Sequence, residues 1–140
     1  MKIYLIGSLR NPRIPEIGSL LRAEGYDIFD DWHAAGPEAD DYWQKYSTTR
    51  GQTYPQALAS HAAQHIFQFD RVHLNSSDAG ILVTPAGKSG YMELGYLAGR
   101  GCPTFILLEQ VPERWDVMAA FATAVCPDLP TLIAYLAGVK

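Results

Sequence analysis

Three short stretches of this chain are apolar throughout instead of alternating: Ile3-Tyr4-Leu5-Ile6, Ile81-Leu82-Val83-Thr84 and Thr104-Phe105-Ile106-Leu107-Leu108. A strand with one wetted face alternates apolar and polar residues. A strand covered on both faces does not, and such strands belong to parallel sheets flanked by helices. The segments between them have helical spacing. Ile14, Ile17, Leu20 and Leu21 recur on one face, and Gly25 stops that helix. Tyr26 to Phe29 reads as a further strand. From Pro55 to about Ser76, Leu58, Ala62, Ile66, Phe69 and His73 trace one face of a single long helix. Tyr91 to Gly99 reads as a helix ended by Gly101 and Pro103, and 113–124 and 129–137 read as closing helices. Residues 36–55 read as a loop with one short helix, and a loop that long is usually functional. Strands alternating with helices give an α/β protein with a doubly wound, mostly parallel sheet.

The length of 140 residues suits one domain, residues 1–140, with one real core. No apolar run approaches the roughly 20 residues of a membrane span. The opening Met1 to Ile6 reads as a strand and not as a signal peptide. A formal net charge of −4 argues against a nucleic-acid polymer as partner, though it leaves room for a local anion pocket. Cys102 and Cys126 lack metal-ligand spacing and read as free thiols in a reducing, cytoplasmic compartment. His61 and His65 stand four apart, but position 62 is Ala and no third ligand is evident, so neither a metal nor another cofactor is expected.

In an open parallel sheet, ligands sit beyond the C-terminal ends of the strands. Gly7-Ser8-Leu9-Arg10, Asp30-Asp31-Trp32-His33 and Ala86-Gly87-Lys88-Ser89-Gly90 all fall there. Gly87-Lys88-Ser89 matches the end of a nucleoside-triphosphate P-loop, but the motif's earlier Gly is Leu82, so the match fails. What remains is a Gly-rich turn at a helix N-terminus, suited to one phosphate or carboxylate, or else a plain turn with a solvated Lys88. Glu93 is expected in the first turn of that helix, where the dipole favours its ionised form; an ionised carboxylate facing a pocket can act as a nucleophile at a sugar carbon. Asp70 lies about 40° from Ile66 and about 100° from Phe69 around its helix. It therefore borders the apolar face, where partial desolvation raises a carboxyl pKa and suits proton transfer. It is otherwise a flank Asp paired with Arg71 or a backbone donor. Asp31 and Trp32 are candidates for contact with a base; Trp32, Trp43, Tyr42 and Tyr46 are either stacking platforms or packing residues.

Ile3-Tyr4-Leu5-Ile6-Gly7-Ser8-Leu9-Arg10, then Asp70 with Asp78 eight residues on, then Gly90-Tyr91-Met92-Glu93-Leu94-Gly95 form an ordered set. The set resembles the nucleoside 2-deoxyribosyltransferase superfamily, and its Gly-Ser-Leu-Arg segment is closer to the 2′-deoxynucleoside 5′-phosphate N-hydrolase branch. The resemblance implies a flavodoxin-like (Rossmann-like) sheet. It implies that Glu93 attacks C1′ of the sugar, that Asp70 assists departure of the base, and that Tyr4 lines the pocket beside the nucleophile. It implies a phosphate site at Ser8 and Arg10. The second phosphate loop of that branch has Ser six residues before the Glu; here that position is Gly87, with Lys88, Ser89 and Gly90 to supply contacts. The transferases place an Asp at the same position, and its absence here weighs against a standard transferase. Segment 30–50 matches neither branch. A homodimer or higher homo-oligomer is also implied.

The expectation is an N-glycosidase acting on a small molecule, a (deoxy)nucleoside 5′-monophosphate, through a glycosyl-Glu93 intermediate. The rival enzyme reading is base exchange on free nucleosides. The non-enzyme reading is a nucleotide-sensing module.

Overall fold

Lys2 to Ile6 form β1, the strand on which the rest of the sheet is assembled. In the computed structural model, which describes residues 1–139, it pairs in parallel with β2 (Asp27–Phe29) on one side and β3 (Ala79–Val83) on the other. Beyond β3 lie β4 (Thr104–Leu107) and β5 (Ala124–Cys126), giving a five-stranded parallel sheet in the order β2-β1-β3-β4-β5. This is the flavodoxin-like winding, with its switch point between β1 and β3.

The uninterrupted apolar runs are explained by the two layers that cover the sheet. Ile3 and Leu5 point toward α1 (Arg13–Ala23) and α6 (Leu129–Val139), where Ile14, Ile17, Leu21, Leu132 and Leu136 complete one core. Tyr4 and Ile6 point the other way, into a second core with Leu74, Leu94 and Leu97. Leu74 belongs to α4 (His61–Asn75), and Leu94 and Leu97 to α5 (Lys88–Gly99). Successive side chains of one strand thus serve opposite layers.

Three segments differ from the sequence expectation. Residues 36–55 hold a full helix, α2 (Ala39–Thr49), and the start of α3 (Tyr54–Ala59). Helix α2 buries only Ser47, so it lacks the apolar stripe by which a helix is read from sequence. The long helix expected over 55–76 is two helices divided at Ser60, whose backbone is extended (φ −74°, ψ 159°) and whose Oγ accepts from the Ala63 N–H. A single capping residue leaves the apolar spacing nearly undisturbed, which hides the break. Residues 113–124 form a 3-10 turn, Val117–Phe121, and lead into β5 instead of forming a helix.

No helix among the described residues is long and apolar enough to cross a membrane. Cys102 and Cys126 are both unbridged.

Candidate active site

Because β1 and β3 are adjacent, with Ile6 opposite Leu82, the turns that leave their C-terminal ends lie side by side. The first holds Gly7 to Arg10 and the second runs through the cis Thr84–Pro85 peptide to Gly87. Ser8 Oγ accepts the Arg10 backbone N–H at 3.1 Å, which tightens the first turn. Gly87 caps α5 with an extended backbone and no side-chain cap. The N–H groups of Lys88, Ser89 and Gly90 therefore open the helix without an intrahelical acceptor, the arrangement that favours an anion. Lys88 and Ser89 are exposed, while Gly90 is buried. A Cβ on Gly90 would stand 3.2 Å from Ile6 Cγ2 and 3.3 Å from Ala86 Cβ, so glycine lets α5 start against β1.

Below this edge, three side chains converge from three elements. Tyr4 projects from β1 and is 1% exposed. Its hydroxyl interacts by hydrogen bonding with the carboxylates of Glu93 on α5 and Asp70 on α4. The phenol has one proton, so it donates to one carboxylate at a time. Burial, aided by the two negative neighbours, raises the Tyr4 pKa far out of the working range and keeps it a donor. Burial pushes Glu93 up to about 7, with the Asp70 charge adding to the rise and the Tyr4 hydrogen bond opposing it. Burial likewise pushes Asp70 up to about 6; Tyr4 opposes the rise and the charge of Asp40 adds to it.

Glu93 stands one turn deeper in its helix than expected, because α5 begins at Lys88 and not at Tyr91. The field of the helix dipole fades beyond the first turn. Desolvation therefore prevails, and Glu93 is held near neutrality instead of being fixed as an anion. Asp70 is half-buried and raised in pKa, but the face it was expected to border is not the buried one: Ile66 and Phe69 are exposed, and α4 buries Ala63 and Leu74.

Arg10 reaches away from its own turn, with Nη2 3.1 Å from Asp41 Oδ2 in the first turn of α2. Trp32 is held as a packing residue: its indole N–H donates to the Leu5 carbonyl at 2.7 Å, and its ring packs against both cores. Asp31 opens the 3-10 turn Asp31–Ala35 after β2 and is exposed. The structure thus brings together Tyr4, Asp70 and Glu93, and sets the Ser8–Arg10 turn beside the Lys88–Gly90 turn. It adds Asp40 and Asp41, which the sequence reading passed over because α2 was taken as mostly loop. Their one signal in the sequence is a pair of acids where a helix begins. Among the described residues no three His, Cys, Asp or Glu side chains are grouped to hold a metal.

A flavodoxin-like sheet with a buried tyrosine between two carboxylates, beneath a Gly-rich turn, defines the class of site. No protein-family model matches the sequence, and no curated protein does. Among solved structures, the fold matches a 2-deoxyribosyltransferase from Bacillus psychrosaccharolyticus over 96% of this chain and 92% of that one, with a TM-score of 0.64 and 17% identity. It also matches a CMP N-glycosidase from Clostridium botulinum over 98% of this chain and 99% of that one, with a TM-score of 0.56 and 11% identity. At such identities the likeness is one of architecture.

Proposed function

We propose that the chain hydrolyses the N-glycosidic bond of a nucleoside 5′-monophosphate, a deoxynucleotide in the main reading, with Glu93 as nucleophile. The observation that carries this reading is the buried Tyr4 hydroxyl set between two carboxylates whose pKa values are raised toward neutrality. Two neighbouring acids, one ionised and one protonated, suit a double displacement. The Glu93 carboxylate attacks C1′. The C1′–N bond breaks, its electron pair leaves with the base, and Asp70 delivers a proton to the departing nitrogen. Asp70, now ionised, takes a proton from water as the water oxygen attacks C1′ of the glycosyl ester. The ester C1′–O bond breaks, Glu93 is released as a carboxylate, and Asp70 is again protonated. Tyr4 donates to whichever carboxylate is ionised.

Support for the phosphate comes from the two adjacent turns, with Ser8, Arg10, Lys88 and Ser89 as side chains and the N–H groups up to Gly90. The Clostridium protein of the same fold is named for a nucleoside monophosphate. The base would lie on the Asp70 side, bordered by the residues around Asp31. The Bacillus protein keeps the exchange reading in view, since a second base in place of water would complete a transfer from the same ester.

The test is incubation with nucleosides and their 5′-monophosphates, with and without added adenine. Free base and sugar phosphate support the proposal. An exchanged nucleoside replaces it with base transfer, and binding without product replaces it with a sensing role.

A further inference from the structure

Helix α2 begins with acids, Asp40 and Asp41, and Glu38 just precedes it. Two separate observations place that end of the helix at the candidate site. Asp41 Oδ2 contacts Arg10 Nη2 across 31 positions of sequence. Asp40, one residue earlier, acts on the charge of Asp70. The helix is lightly held. It buries only Ser47, and Gly36 and Gly51 flank it with φ of 91° and 75°, values that favour glycine. Ser47 Oγ and Gln52 Oε1 are buried without a hydrogen-bond partner among the described residues.

We propose that Asp41 is a competing counter-ion, which holds the Arg10 guanidinium in the free protein and yields it to the 5′-phosphate of the substrate. The inference rests on the reading of Arg10 as a phosphate ligand. The Arg10–Asp41 contact uses one guanidinium nitrogen, and its two side chains are 67% and 68% exposed, so it is a weak pair. A phosphate dianion offers paired oxygens to the planar fork, which is the stronger arrangement. It also meets the free N–H groups that open α5. Once bound, the dianion repels the adjacent Asp40 and Asp41. A nucleoside without phosphate has nothing to offer Arg10 and leaves the bridge closed. Asp41 therefore sets the threshold an anion must exceed to occupy the turn.

The test compares the wild type with Asp41→Asn, Asp41→Ala, Arg10→Ala and Arg10→Ala/Asp41→Asn. Glu24→Gln, exposed at the far end of α1, controls for net charge. The readouts are the Kd for inorganic phosphate by calorimetry and the ratio of kcat/KM for a nucleoside 5′-monophosphate to that for its nucleoside. Asp41→Asn and Asp41→Ala are expected to tighten phosphate about two- to fivefold, the scale of an exposed ion pair, and to raise the ratio through KM. Glu24→Gln is expected to change neither, and the Asp41 effect should vanish in the Arg10→Ala background. Unchanged or weaker phosphate binding in the Asp41 variants overturns the proposal. So does an equal gain in the absence of Arg10. If no nucleotide is turned over, the functional reading fails by itself, while the phosphate titrations still decide the role of Asp41.

Discussion

At the scale of single residues, the site is a competition between burial and hydrogen bonding over two carboxyl groups. The productive form has Glu93 ionised and Asp70 protonated. Burial raises both carboxyl groups toward neutral pH, to about 7 and about 6, so the pair shares one proton across the working range. The profile of kcat/KM against pH should be a bell, rising as the first proton leaves the pair near 6 and falling as the second leaves near 7. The Tyr4 hydrogen bond lowers both pKa values, so Tyr4→Phe should move the bell to higher pH as well as reduce its height. A profile flat through this range, or a Tyr4→Phe bell shifted downward, contradicts the assignment. Glu93→Gln removes the nucleophile while nearly preserving shape, and turnover should fall on the order of a thousandfold or more. The same variant has a signature in stability. The folded pKa of Glu93 lies above its ordinary value of 4.5, so its contribution to stability is fully present below about 4.5 and is lost as pH rises through about 7. A neutral amide escapes that loss. Thermal unfolding should show Glu93→Gln more stable than wild type by about 1–3 kcal/mol above pH 8, and nearly equal to it near pH 4.5. A variant less stable than wild type above pH 8 would mean that contacts hold the anion.

At the scale of elements, what could be read from the sequence is what burial imposes on it. The runs 2–6, 81–84 and 104–108 announce covered strands, and each strand lies within a residue or two of its expected place. Glu93 was singled out by the Gly-rich turn before it, and Asp70 by its place beside Ile66 and Phe69, a face the structure leaves 44% and 48% exposed while α4 buries Ala63 and Leu74. Helix α2 was not legible, because Tyr42 and Tyr46 remain exposed and only Ser47 is buried, leaving no stripe to detect. With it went Asp40 and Asp41. The start of α5 was misplaced by three residues because Lys88, Ser89 and Gly90 have no apolar spacing; Gly90 is set by close approach to Ile6. That approach can be tested. In Gly90→Ala the new methyl would meet Ile6 and Ala86 at 3.2 and 3.3 Å, with Leu82 Cδ1 at 3.5 Å. The neighbours lie in the core, so α5 must shift outward, at a cost of about 1–3 kcal/mol. Glu93 would shift with it, away from Tyr4. Chemical denaturation should show the loss, and kcat should fall more than KM changes. An unaltered midpoint and unaltered kcat would show that the contact between α5 and β1 has slack.

At the scale of the whole molecule, one stretch of uncovered apolar surface lies where the helix of the nucleophile faces outward. The outer side of α5, with Tyr91, Leu94, Gly95 and Ala98, forms one wall of a groove of about 1060 Å³, and Val111, Trp115, Met118 and Phe121 form the other. Val111, Trp115 and Val117 are 81%, 83% and 82% exposed. Apolar side chains grouped and exposed around one groove mark a contact surface. Its rim alternates in sign along Glu113, Arg114 and Asp116, so a two-fold pairing can set opposite charges against one another. We therefore propose that a second copy of the chain covers this face, as the resemblance in sequence implies. Such a partner would brace α5 from behind and steady Glu93 against Tyr4, coupling assembly to catalysis. Trp115→Glu places a charge on the patch without touching either core, since Trp115 makes one hydrogen bond, to the Pro112 carbonyl. Light scattering coupled to size exclusion should give a dimer or larger species for the wild type and a folded monomer for Trp115→Glu, with kcat reduced in the monomer. A wild type that is monomeric at every concentration would refute the assembly. A Trp115→Glu protein that remains oligomeric would place the interface elsewhere, and one that is monomeric with full kcat would separate assembly from the chemistry at Glu93.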